Sequence, residues 1–113
     1  MQIEIEQLPS ATLIRLKGCL MLQEVEQSKY EFHELIETQA MKCVLLDMSD
    51  VHLIDSSGIG LIIKGSNTMT RKGGKLKLFG LNSEIYLIFE RMTLHKILSI
   101  YDSLEHALQS IQA

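Results

Sequence analysis

Apolar and polar residues alternate from Ile3 to Gln7 and again from Thr12 to Lys17, with Pro9-Ser10 between them and Gly18 after. Period-two alternation around a proline turn predicts two strands paired as a hairpin. The period then lengthens. Val25, Phe32, Leu35 and Ile36 share one face of a helix predicted between about Gln23 and Gln39. Within Cys43 to Met48, Val44-Leu45-Leu46 runs without a polar break, which predicts a strand buried on both faces. A polar turn, Asp47 to Asp50, is expected next, followed by a short apolar stretch from Val51 to Ile54.

A second helix is expected to start near Ser57, to bury Ile59, Ile62, Ile63, Ser66 and Met69, and to stop at Gly73-Gly74. Lys75 to Phe79 alternates as a strand. Asn82 or Ser83 caps a helix whose Ile85, Ile88, Phe89 and Met92 form one stripe. Ile97 to Tyr101 reads as a last strand. Asp102 or Ser103 then opens a terminal helix carrying Leu104, Ala107, Leu108 and Ile111. Strands alternating with helices after a hairpin predict an α/β fold. The expected architecture is a mixed, mostly parallel central sheet of about five strands with about four helices packed on it.

Composition narrows the class. The 113 residues, 46% hydrophobic and 22% charged, suit one domain over residues 1–113 with a single core. A net charge of −3 gives no reason to expect direct contact with nucleic acid or an anionic membrane. The start MQIEIEQLPS has neither a basic region nor a hydrophobic signal, and no apolar run approaches a membrane span. A cytoplasmic protein is therefore expected, with Cys19 and Cys43 as free thiols.

Generic catalytic motifs fail on spacing. Gly58-x-Gly60 lacks the third glycine of a dinucleotide fingerprint, and no nucleophile elbow surrounds Ser56 or Ser57. Lys64-Gly65-Ser66 has the letters of a phosphate loop in the wrong order and lies mid-helix. His33, His52, His95 and His106 lack metal-ligand spacing and read as solvated or packed histidines. Asp47, Asp50 and Asp55 could gather around magnesium in a small enzyme or nucleotide-binding domain, but turn and cap roles explain acids at strand ends without a metal. Arg71, Lys72, Lys75 and Lys77 read as a solvated basic turn, with an interaction patch as the alternative. No catalytic residue, cofactor or metal is expected, and the chain is not expected to be an enzyme.

One stretch carries more chemistry. Asp55-Ser56-Ser57-Gly58 places a carboxylate and two hydroxyls where a strand meets a helix N-terminus, a natural place for a serine that carries a phosphate. Taken alone, Asp55 or Ser56 is an ordinary N-cap, Ile59 is core, and Gly58 and Gly60 serve close helix packing or a special backbone angle.

The run Leu45-Leu46-Asp47-Met48-Ser49, then Ile54-Asp55-Ser56-Ser57-Gly58-Ile59-Gly60, resembles the signature of the STAS domains, and among them the bacterial anti-sigma-factor antagonists. The resemblance continues through Gly73-Gly74 and a strand, a helix ending Phe89-Glu90-Arg91-Met92, and a closing strand and helix with Asp102, Ser103, Ala107 and Leu108. It implies an antagonist that works by partner switching. The unphosphorylated form would bind an anti-sigma factor that is also a serine protein kinase, freeing a sigma factor or other effector. Phosphorylation at Ser56 would release that partner, and a metal-dependent serine phosphatase would reset the cycle. Met21, Asp55, Ser56, Ser57, Gly58 and Ile59 are the partner-binding residues so implied. A phosphate on Ser56 is expected to meet free helix N–H groups and the positive end of the dipole, a gain of about 0.3–1 kcal/mol. The chain departs from the family where G-x-L-D becomes Gly18-Cys19-Leu20-Met21, with Met21 in place of an acid. That change fits the alternative, a non-switching STAS module of a transporter or signalling complex, whereas the intact serine motif speaks against it.

Overall fold

Pro9 and Ser10 interrupt the first alternating run, and the Leu8 N–H closes the turn on the Ala11 carbonyl at 2.8 Å. From there the computed structural model, which describes residues 1–38, 40 and 42–111, follows the expected order of elements. These are β1 (Gln2–Gln7), β2 (Thr12–Leu20), α1 (Leu22–Thr38), β3 (Cys43–Ile54), α2 (Ser56–Arg71) and β4 (Lys75–Phe79). Then come α3 (Ser83–Arg91), a 3₁₀ turn (Leu94–Lys96), β5 (Ser99–Tyr101) and α4 (Leu104–Gln109). Gln39, the expected end of the first helix, lies outside the described residues.

The strands lie side by side in chain order, with β1 antiparallel to β2 and every later pair parallel. The crossovers from β2 to β5 step in one direction, so right-handed connections put their helices on the same face. Val25, Phe32 and Ile36 of α1, Ile59 and Ile62 of α2, and Ile85 and Phe89 of α3 accordingly share one core. The terminal α4 crosses to the other face and packs Ala107 with Ala11, Leu13, Leu45 and Phe79. This two-sided cover explains the unbroken Val44-Leu45-Leu46 run. Val44 and Leu46 enter the first core, Leu45 enters the second, and all three are fully buried.

Several boundaries differ from expectation for physical reasons. The second strand does not end at Gly18 but runs on to Leu20, with Gly18 at φ +107°. Asp47 to Asp50 is not a turn; it is the middle of one 12-residue strand. Arg15 faces Asp47 while Lys17 faces Asp50, and Gly18 faces Val51 while Cys19 faces Leu53. Each step inserts one extra β3 residue, a bulge. Inside the first, the Asp47 carboxylate accepts the Ser49 N–H at 2.9 Å, a local bond of the kind that makes a polar run look like a turn.

The last strand starts at Ser99, because Leu94 and Leu98 are buried through the 3₁₀ turn, where the Leu98 N–H reaches the Leu94 carbonyl at 2.8 Å. Ile88 and Met92, expected on the buried stripe of α3, are exposed.

The basic cluster is split rather than solvated as a whole. Arg71 pairs with Glu37 at 2.6 Å, and Lys72 Nζ donates to the Ile36 and Glu37 carbonyls at 2.8 and 2.9 Å, closing the end of α1. Lys77 turns to the opposite face and is buried under α4. Cys43 is a buried free thiol whose pKa burial pushes up, and Cys19 is a free, half-buried one.

Candidate functional site

Parallel pairing of Leu20 with Ile54 brings the ends of β2 and β3 together, so α1 and α2 begin side by side at the carboxyl edge of the sheet. Asp55 joins them. Its main-chain N–H donates to the Leu20 carbonyl at 3.2 Å. Its Oδ1 accepts the Ser57 and Gly58 N–H groups at 2.8 and 3.3 Å, and its Oδ2 accepts the Leu22 N–H at 2.9 Å. One carboxylate therefore caps α2 and anchors the first residue of α1. The choice between Asp55 and Ser56 as N-cap resolves to Asp55.

Ser56 is the first residue of α2. It is exposed, and its hydroxyl takes no part in the cap. Ser57 behind it is half-buried. Because Asp55 occupies the Ser57 and Gly58 N–H groups, the expectation that a phosphate would meet free helix donors is corrected. Of the first three N–H groups of α2, only that of Ser56 itself is left outside the cap.

Gly58 is buried with its α-carbon against the end of β2. A β-carbon there would meet the Leu20 carbonyl oxygen and lie 2.7 Å from both Leu20 Cβ and Ile54 Cγ1. Ile59, expected on the contact face, is 6% exposed and belongs to the core. Both residues shape the surface from beneath. Met21 is half-buried at the β2–α1 junction, and its carbonyl accepts the Val25 N–H at 2.9 Å. Met21, Asp55, Ser56 and Ser57 thus lie at one junction.

Two neighbours escaped the sequence reading. Leu22 is 58% exposed and Leu53 is 52% exposed, and they flank Asp55-Ser56 from α1 and β3. Gly60, one turn beyond Ser56, is exposed, with nothing within 4 Å of where a β-carbon would stand. Leu22 keeps the spacing of buried Val25, Phe32 and Ile36, and Leu53 stands two residues after buried Val51, so the sequence pattern does not set either apart as exposed.

The other carboxylates stand apart. Asp47 faces Arg15 at 3.6 Å, and Asp50 is exposed. Among the described residues, no group of three or more His, Cys, Asp or Glu side chains is placed to hold a metal ion. His52, His95 and His106 are exposed, while His33 packs edge-on to Phe32, its pKa lowered first by burial and then by Lys64 and Lys29. No helix among the described residues is long and apolar enough to cross a membrane.

Removing the shared cap has a defined expected result. Asp55→Ala deletes the acceptor of three N–H groups and should cost about 2 kcal/mol, or on the order of 8 °C in Tm. Asp55→Asn, which keeps an acceptor oxygen, should lose less than about half of that. Thermal denaturation of the three proteins checks both values. An alanine variant within about 2 °C of the parent would contradict the dual-cap role.

The family model of the STAS domain matches residues 2–107. The anti-sigma F factor antagonist of Paenibacillus polymyxa is 26% identical over 112 residues, spanning 99% of this chain and 96% of that protein. An anti-sigma-factor antagonist (STAS) domain protein from Planctomyces limnophilus has a solved structure that covers 98% of each chain, with a TM-score of 0.87 and 20% identity. The Bacillus cell fate determinant SpoIIAA, solved in its phosphorylated form, gives a TM-score of 0.70 and 21% identity, covering 97% of this chain and 99% of that one. Both structures share the five-stranded fold described above.

Proposed function

This chain belongs to the STAS domain family, and from that premise we propose that it is an anti-sigma factor antagonist acting by partner switching. Unphosphorylated, it binds an anti-sigma factor that is also a serine kinase and frees a sigma factor or other effector. Phosphorylation of Ser56 releases the kinase, and a metal-dependent serine phosphatase restores the binding form. The names of the Paenibacillus relative and of the phosphorylated SpoIIAA structure support this reading.

The observation that carries it is the separation of cap from acceptor. Asp55 holds the two helix starts, which leaves Ser56 exposed and without structural duty. A phosphate there adds about −1.5 to −2 charge beside a carboxylate already engaged with the helix donors, so its charge is directed outward. The exposed Leu22 and Leu53 supply apolar area for a partner, and a charge set among them resists desolvation when that partner closes. Met21 keeps the junction apolar where an acid is usual in the family. Ser57, half-buried, and Ser56, exposed, are unequal substrates for a docked kinase.

The kinase that the unphosphorylated protein retains from its own cells, supplied with ATP, should place one phosphate on Ser56, and Ser56→Ala should abolish it. Phosphopeptide mapping reads the position. A phosphate on Ser57 in the parent protein would refute the assignment of the acceptor, and no phosphate at either serine would refute partner switching here.

A further inference from the structure

Although the chain carries a net charge of −3, three lysines converge on one cleft at the start of β3, the opposite end of that strand from Ser56. Lys42, Lys75 and Lys77 line it with the Gly73-Gly74 turn and Ser110, around a volume of about 310 Å³. Gly74 has no room for a side chain, since a β-carbon would meet the Lys42 carbonyl oxygen and lie 2.9 Å from Met69 Cε. Gly74 therefore lets the chain pass close to the Lys42 main chain as it turns into β4.

Lys77 is the unusual member. It is 7% exposed, its Nζ donates to the Tyr101 hydroxyl at 3.2 Å, and it lies 5.2 Å from the centre of that ring. Among the described residues, none of the three lysines has a carboxylate within ion-pair distance, although five other such contacts exist elsewhere in the chain. A buried ammonium is costly unless an opposite charge reaches it, and a phenol and a ring face offset only part of that cost. The neighbours register the positive field. The Tyr101 phenol is held below its ordinary pKa, first by Ser110 and then by Lys77 and Lys75, and both lysines oppose the upward push of burial on the Cys43 thiol.

We propose that this cleft binds a small soluble anion bearing phosphoryl groups, with buried Lys77 as the anchor and exposed Lys42 and Lys75 closing over the ligand. Lysine is a point-charge phosphate binder, and three of them balance the charge of a diphosphate group. The volume stands at the lower end of that of small-ligand pockets. The site is separate from Ser56, so its occupancy does not depend on the phosphorylation proposed above.

Titration of the full chain with inorganic pyrophosphate at physiological ionic strength, followed by amide NMR, tests this. The amides of Cys43, Gly74, Lys75, Lys77 and Tyr101 should shift along one saturable curve. The double variant K42Q/K75Q changes only exposed side chains and should weaken binding by at least about tenfold, whereas Ser56→Asp should leave it unchanged. K77M should abolish binding if it folds. Shifts spread evenly over the surface lysines, or equal affinity in K42Q/K75Q, would overturn the proposal. Phosphatidylglycerol vesicles form the second arm. They should sediment no more protein than phosphatidylcholine vesicles do, and sedimentation with them in the absence of saturable pyrophosphate binding would assign the cleft to a lipid surface and overturn the soluble ligand.

Discussion

Gly58→Ala is expected to lower the unfolding free energy by about 3 kcal/mol or more, one of the largest single-methyl effects available in this chain. The added carbon would stand 2.7 Å from Leu20 Cβ and Ile54 Cγ1 and against the Leu20 carbonyl oxygen. Backbone is the obstacle, so no rotamer change relieves the contact. Relief requires moving α2 away from β2, which strains the Asp55 N–H bond to Leu20 and the pairing of Leu20 with Ile54. Alanine's better helix propensity, roughly 1 kcal/mol over glycine, works in the opposite direction and is outweighed.

Gly60→Ala is the internal control. Open space surrounds that position, so the propensity gain should appear alone and stabilise by roughly 0.5–1 kcal/mol. Urea denaturation of both variants reads the two signs. A Gly58→Ala protein within about 1 kcal/mol of the parent would mean that α2 is not seated on β2 as described. Because Gly58 seats the first turn of α2, the same substitution should also displace Ser56 relative to Met21 and Leu22.

How much of this was legible follows from which interactions are local. The Val44-Leu45-Leu46 run announced a strand covered on both faces, since no half-exposed strand tolerates such a run. The junction at Asp55 was legible as a cap, but both Asp55 and Ser56 favour that role. What decides between them is the Leu22 N–H, a donor 33 residues away that only Asp55 also serves. The bulges between Asp47 and Leu53 stayed hidden because a bulge is a property of a strand pair, and the extra residues appear only against Arg15, Lys17, Gly18 and Cys19. Lys77 was read as solvated because its strand alternates; its burial depends on α4 returning to the far face, a tertiary event. Ile88 and Met92 continue the apolar period of α3 yet remain exposed. Leu22 and Leu53 were unreadable for the complementary reason, since an exposed leucine acquires meaning only beside the serine it flanks.

The largest functional effect is expected at Ser56. Ser56→Asp introduces a charge at an exposed first helical position, where the dipole favours it and neighbouring Asp55 opposes it. The two effects are each of order 0.5 kcal/mol, so Tm should stay within a few degrees of the parent. Partner affinity has no such cancellation. On the proposed binding surface the carboxylate would sit between exposed Leu22 and Leu53 and lose water without gaining a counter-ion, so capture of the kinase should weaken by at least about tenfold, or roughly 1.4 kcal/mol. Ser56→Ala removes only the acceptor oxygen and should bind as the parent does, while losing release by ATP.

Calorimetric titration of the captured kinase with the parent, its Ser56-phosphorylated form, Ser56→Asp and Ser56→Ala tests the switch most directly. The expected result is equal, tight binding by the parent and Ser56→Ala, at least about tenfold weaker binding by Ser56→Asp, and the weakest binding by the phosphorylated protein. Equal affinity of the kinase for the phosphorylated and unphosphorylated forms would contradict the account.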